Sequence, residues 1–292
     1  MPNALQPYLR EWIYDSSEVP YDVADRVIIR LHLRYRVEEP DDLAEVEEIQ
    51  QDANADTEDP KRLFLAYGTS AKRLLDIIDA LLDLIPQRTP VPTGTDAFSR
   101  WQAVAARMTR DPRDSMRQYL SDARSIYRIS EDERALTRRT DPMAKMAYTG
   151  AMGAATDKIN AGSSAEHLRK AWESVHALHP DAPWAYSEAI KAVEAAAHAV
   201  IQPRHGRATL GTMLGELRNV PAKFSLAISG PDGRGDVGPL IHMLQLLWSG
   251  QTSRHGSQSP TRPETLTEAV MAVHLATTLV QWFTTGCVRS AQ

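Results

Sequence analysis

Apolar residues recur at helical spacing along most of this chain, and the pattern breaks where Pro, Gly and capping residues cluster. Val23, Val27, Ile28 and Leu31 share one face of a segment at 21–35, and Pro20 suits its start. A long helix is predicted over 61–85, interrupted if anywhere at Gly68. Leu75, Ile78, Leu82 and Ile85 lie on one side of it, with Asp76, Asp79 and Asp83 on the other. Pro86, Pro90, Pro92 and Gly94 then mark a loop, and shorter helical patterns follow at 101–108 and 114–123. At Ser125-Ile126-Tyr127-Arg128-Ile129-Ser130 the period drops to two. The chain turns through Glu131-Asp132-Glu133 and alternates again over 135–139, which predicts a β-hairpin near 125–139.

Beyond Asp141 the chain becomes Ala-rich, and eight of its nine His residues lie past position 160. Five helices are expected there. Ser163 and Glu166 have the spacing of a capping box, and the helix they open carries Leu168, Ala171, Trp172, Val175 and Leu178 on one face. Asp181-Ala182-Pro183 caps the next, whose alanines permit close helix approach. The others fall near 209–220, 239–249 and 263–285. Capped helices with short connections make a bundle. The fold class predicted is therefore mainly α. A mostly helical N-terminal domain with a small hairpin (1–140) precedes a helical bundle (141–292).

At 292 residues the chain has length for two modest cores. A net charge of −5 argues against a generally basic nucleic-acid wrapper but leaves room for a local basic face. Acidic and basic residues are also segregated. Residues 38–59 hold eleven carboxylates and no Lys or Arg, as a solvated face would, whereas 100–139 holds ten Arg against six carboxylates. The Arg-rich stretch suits either phosphate contacts or local ion pairs. A single cysteine, Cys287, excludes an internal disulfide framework and fits a reducing cytoplasm. The N-terminus has no signal-peptide core, no run is long enough to cross a membrane, and a cytoplasmic location is expected.

Candidate chemistry centres on Arg254-His255-Gly256, repeated as Arg204-His205-Gly206. His moves protons near neutral pH and Arg holds phosphate, together a minimal kit for cleaving RNA. The same tripeptide opens the phosphohistidine loop of histidine phosphatases, but that chemistry needs a parallel strand before it, and both copies here follow helices. His167, His176, His179 and His198 raise zinc, yet no spacing supplies three or four convergent ligands, and no metal is expected. The glycines at 230–236 lack the strand and the Lys-Ser/Thr of a phosphate loop, so no cofactor is expected either.

Two runs, His167-Leu168-Arg169-Lys170-Ala171-Trp172 and Ala185-Tyr186-Ser187-Glu188-Ala189-Ile190-Lys191-Ala192-Val193-Glu194, carry a family likeness. With Ala208-Thr209-Leu210-Gly211 and residues 247–256, they resemble the abortive-infection C-terminal domain over about 162–286. That domain is a HEPN-like helical bundle of bacterial phage-defence proteins. The resemblance implies a homodimer acting on RNA, with metal-independent endoribonuclease activity at a composite site. Arg254 and His255 would be catalytic, and Glu194 and Arg204 would support them. Glu194 has two further options, a local salt bridge with Lys191 or solvation. The family pattern places an Arg four to six residues before the His, whereas positions 248–250 here are Trp248, Ser249 and Gly250. The alternative expectation is a non-catalytic HEPN-like bundle that dimerises or binds a protein partner. The partner or trigger of the first domain cannot be read from these residues.

Overall fold

The computed structural model describes residues 5–15, 21–33, 60–86, 96, 111–157, 161–230, 235–253 and 261–290. The acidic tract at 38–59 and the helix expected at 101–108 lie outside them. The chain is mostly helical and divides into two compact units, Met1–Arg139 and Thr140–Gln292. Among the described residues no helix is long and apolar enough to cross a membrane.

In the first unit, α1 (Gln6–Asp15), α2 (Tyr21–Arg30), α3 (Pro60–Ala66), α4 (Leu74–Leu84) and α5 (Pro112–Asp122) surround a core that includes Leu9, Ile13, Val27, Ile78 and Met116. The helix expected over 61–85 is interrupted at Gly68, the one place the sequence allowed, and forms α3 and α4. After Ala66 the chain turns at Gly68, and the Thr69 hydroxyl bonds back to the Leu65 carbonyl at 2.9 Å. Of the face expected on α4, Ile78, Leu82 and Ile85 are buried and Leu75 is half-buried. Leu74, Ile77 and Leu81 are buried as well, so the core-facing surface is broader than expected.

The three aspartates of α4 are engaged rather than simply solvated. Asp79 accepts the Leu136 N–H at 2.7 Å, and Asp83 pairs with Arg30 at 2.6 Å and Arg134 at 2.7 Å. The bond from Arg30 leads in holding the Asp83 carboxyl below its usual pKa, with Arg134 adding to it against the cost of partial burial. The hairpin forms as predicted, β1 (Tyr127–Ile129) pairing antiparallel with β2 (Leu136–Arg138) in the register Tyr127↔Arg138.

Arg113 is the least expected part of this unit. Its side chain is 1% exposed and donates to the carbonyls of Glu133 (3.1 Å), Ile85 (3.0 Å) and Pro86 (3.2 Å), beside Asp111. It thus ties the end of α4, the hairpin turn and the capped start of α5 together. Arg117 pairs with Asp114 and Glu133, and Arg139 donates to the Ser125 carbonyl. Much of the described Arg-rich stretch is therefore committed to internal contacts.

Among the described residues the second unit contains six α-helices, one more than the five expected. They are α6 (Pro142–Asp157), α7 (Ser164–His176), α8 (Ala182–Ile201), α9 (Leu210–Asn219), α10 (Gly238–Gly250) and α11 (Leu266–Thr284). The extra helix, α6, is Ala-, Gly- and Met-rich, so its apolar stripe is indistinct, and Asp141 caps it by accepting from Met143 N at 2.8 Å. The expected capping box at Ser163 does not form. Ser163 lies near φ −84°, ψ 13° rather than in the extended cap conformation, and Glu166 pairs with Lys170 instead. Capping boxes do form at Thr209/Thr212 and Thr265/Glu268.

A second ribbon, unpredicted, joins β3 (Phe224–Leu226) to β4 (Val288–Ser290) in the antiparallel register Ser225↔Arg289. Three-residue strands distant in sequence carry no periodic signal. The chain reaches β4 through Gly286 at φ +78°, where the Cys287 N–H returns to the Trp282 carbonyl at 2.9 Å and closes the end of α11.

Removing the Arg113 guanidinium leaves its buried acceptors without a donor. Arg113→Ala is expected to cost about 3–5 kcal/mol in urea unfolding, with Arg113→Lys recovering only part of it. A loss under about 1 kcal/mol would show that the arginine is dispensable.

Candidate functional site

Both Arg-His-Gly tripeptides fall between helices, and each connection is clasped at its base. The first lies between α8 and α9. There the His198 ring donates through Nε2 to the His205 carbonyl at 3.0 Å. The Thr212 hydroxyl donates to the Gln202 side chain at 2.9 Å, and Glu194 accepts the Leu210 N–H at 2.7 Å. Glu194 is thus neither solvated nor placed by Lys191, which pairs with Glu188; it helps position the start of α9. Arg204 and His205 are exposed, and they border a cleft of about 760 Å³ together with Lys223 and Arg289.

Arg254 and His255 lie outside the described residues; the chain on either side of them does not. The end of α10 is pressed onto its neighbours. The Tyr186 hydroxyl donates to the Leu247 carbonyl at 3.1 Å, and a Cβ at Gly250 would collide with that hydroxyl. Trp248 covers Gly211, where a Cβ would lie 2.8 Å from its ring. Glu264, 4% exposed, then fixes the two residues ahead of Arg254. It accepts from Ser253 N at 2.9 Å, Ser253 Oγ at 2.7 Å and Thr252 Oγ1 at 3.5 Å. The Thr252 hydroxyl also reaches the Arg262 carbonyl at 2.9 Å, so the strands flanking 254–260 are tied together. Burial by itself raises the Glu264 pKa. The bonds from Ser253 outweigh it and hold the carboxyl below its usual range.

The histidines raised as zinc ligands have other partners. His176 is buried, and its Nδ1 donates to the Trp172 carbonyl at 2.8 Å; a carbonyl only accepts, so that nitrogen carries the proton. His167 Nδ1 lies 2.7 Å from Glu188, a carboxylate 1% exposed that also meets Lys191 at 2.7 Å. Desolvation opposes the Glu188 charge, but the bonds from His167 and Lys191 prevail and lower its pKa. Among the described residues no group of three or more His, Cys, Asp or Glu could hold a metal ion.

Sequence reasoning missed both Glu264 and the His167–Glu188 pair. The pair had a signal. His167 and Glu188 lie at nearly equal distances from the α7–α8 turn, as do Ser164 and Ala192, which are also bonded (2.9 Å). Glu264 had none, because Pro263-Glu264-Thr265 reads as an ordinary helix start.

Compared with known proteins, no protein-family model matches the chain, and neither a curated protein nor a solved structure matches it.

The Glu264 clasp makes a pH-dependent prediction. Its pKa is lowered on folding, so its stabilisation is full above the unfolded value near 4.5 and fades as pH falls through the folded value. Thermal or urea unfolding should show Glu264→Gln about 1–2 kcal/mol less stable than the parent at pH 7, with the gap closing below pH 4. A gap independent of pH would assign the clasp to packing.

Proposed function

We propose that the second unit is a HEPN-like bundle of a phage-defence protein of the abortive-infection type, acting on RNA as a homodimer in the cytoplasm. Its activity would be metal-independent endoribonuclease cleavage, with the first unit sensing or regulating. The observation that carries the reading is the Glu264 clasp on Ser253, the residue before Arg254. A group that must meet a phosphate within tenths of an ångström needs a fixed attachment, and this carboxylate supplies one. The family likeness over 162–286 supplies the reaction class.

In that chemistry the RNA 2′-oxygen attacks the adjacent phosphorus and loses its proton to one copy of His255. The bond from phosphorus to the 5′-oxygen then breaks, leaving a 2′,3′-cyclic phosphate and a 5′-hydroxyl. The second copy of His255 supplies the proton to the leaving oxygen, and Arg254 neutralises the charge gathering on the phosphoryl oxygens. Glu194, in α8, and Arg204, in the α8–α9 connection, support the arrangement from there. No metal or cofactor takes part.

One observation favours the non-catalytic alternative. The positions where the family pattern has its arginine are occupied by packing, Trp248 against Gly211 and Gly250 beneath Tyr186. In that reading the bundle dimerises or binds a protein partner.

Purified protein in EDTA should cleave labelled single-stranded RNA to cyclic-phosphate ends. His255→Ala should reduce the rate at least about 100-fold, and Arg254→Ala by a similar factor. Cleavage unchanged in His255→Ala, or absent from the parent while the dimer persists in light scattering, assigns the bundle to the second reading.

A further inference from the structure

The cleft beside Arg204 combines an apolar floor with a cationic rim, a pairing that selects a particular ligand chemistry. Half-buried Ala199 and Val200 and exposed Pro203 give the lining its accessible apolar surface, while Ile201 and Val288 in the same lining are each only 1% exposed. Arg204, His205, Lys223 and Arg289 stand around it. The lone carboxylate in the lining, Glu216, is 3.0 Å from Lys223 and cancels that charge alone. Among the described residues the side chains of Arg204 and His205 have no hydrogen-bond or ion-pair partner. Arg289 uses only Nε, toward the Gly286 carbonyl at 2.8 Å, which leaves its two terminal nitrogens as a free fork.

Two uncancelled guanidinium groups therefore face one cleft of a chain whose net charge is −5. The C-terminal end of α8 also faces it and contributes roughly half a negative charge. Two full positive charges outweigh that. The backbone behind each cation is held as well. His198 bonds the His205 carbonyl, Thr212 holds Gln202, and pairing of Ser225 with Arg289 follows the fixed turn at Gly286. Guanidinium forks match phosphate oxygens two at a time, which an ammonium group cannot do. An apolar floor adds nothing for bare phosphate but suits the flat face of a base. The volume, about 760 Å³, is in the usual range for small-ligand sites.

We infer that this cleft binds a phosphorylated nucleotide, its phosphate on Arg204 and Arg289 and its base against Val200 and Pro203. The nucleotide is either free or the end of an RNA strand. The site shares Arg204 with the proposed cleavage arrangement but does not need His255.

Calorimetric titration of the full chain with adenosine monophosphate, adenosine, inorganic phosphate and a 5′-phosphorylated RNA trimer tests this. The monophosphate should bind at least about tenfold more tightly than adenosine or inorganic phosphate. The affinity should fall at least about tenfold in Arg204→Ala/Arg289→Ala and only partly in Arg204→Lys, all with unchanged circular dichroism. His255→Ala should bind like the parent, so failure of cleavage and failure of this site are distinguishable. Tighter binding of the trimer than of the monophosphate assigns the cleft to a strand end, and equal binding assigns it to a free nucleotide. Binding that ignores both arginines, equal affinity for inorganic phosphate, no binding of either phosphorylated probe, or loss of binding in His255→Ala overturns the proposal.

Discussion

Alanine at 185, 189, 192, 196 and 197 gives α8 buried positions of little side-chain bulk among Tyr186, Ile190, Val193 and Ile201, and the second unit is built around that constraint. A smooth helix can be approached closely by α7 and α11, but it offers few knobs to fix how they align. Alignment falls instead to directed bonds. Ser164 reaches the Ala192 carbonyl, and His167 meets the buried Glu188 carboxylate. Sliding α7 along α8 would strip Glu188 of a partner in a place where an unpaired charge costs several kcal/mol. The contact of His167 with the buried Glu188 thus serves register more than net stability.

The same helix supports what lies at its ends. Glu194 from α8 and Gln202 just past its end hold the start of α9, and Tyr186 from α8 holds the end of α10. Both Arg-His-Gly tripeptides therefore leave from chain that α8 anchors directly or through a neighbour. Glu264 repeats the device on the far side of the second connection.

Much of the architecture was legible because it depends on local pattern. The hairpin announced itself by a change of period, and the Asp181 cap and the apolar faces of α7 and α8 by their spacing. Where the sequence misled, the cause was tertiary. The Ser163-Ser164-Ala165-Glu166 motif has the spacing of a capping box, but Ser164 is drawn to α8 and Glu166 to Lys170. Arg113 resembles every other arginine in its stretch, and only the fold buries it. The β3–β4 ribbon and the Glu264 clasp join residues whose relation is invisible along the chain. Of the candidate site, Arg204 was legible as a cation and illegible as part of a cleft. Its companion Arg289 arrives from the opposite end of the unit across the ribbon.

The proposed function requires that RNA engage the second unit near its two Arg-His-Gly tripeptides, despite a net charge of −5. Ultraviolet crosslinking of 4-thiouridine RNA to the full-length protein, mapped by mass spectrometry, tests that claim most directly. The account predicts crosslinks concentrated at 199–206, 250–262 and 286–290. Crosslinks confined to residues 1–139, or none above a protein of similar charge, would contradict it.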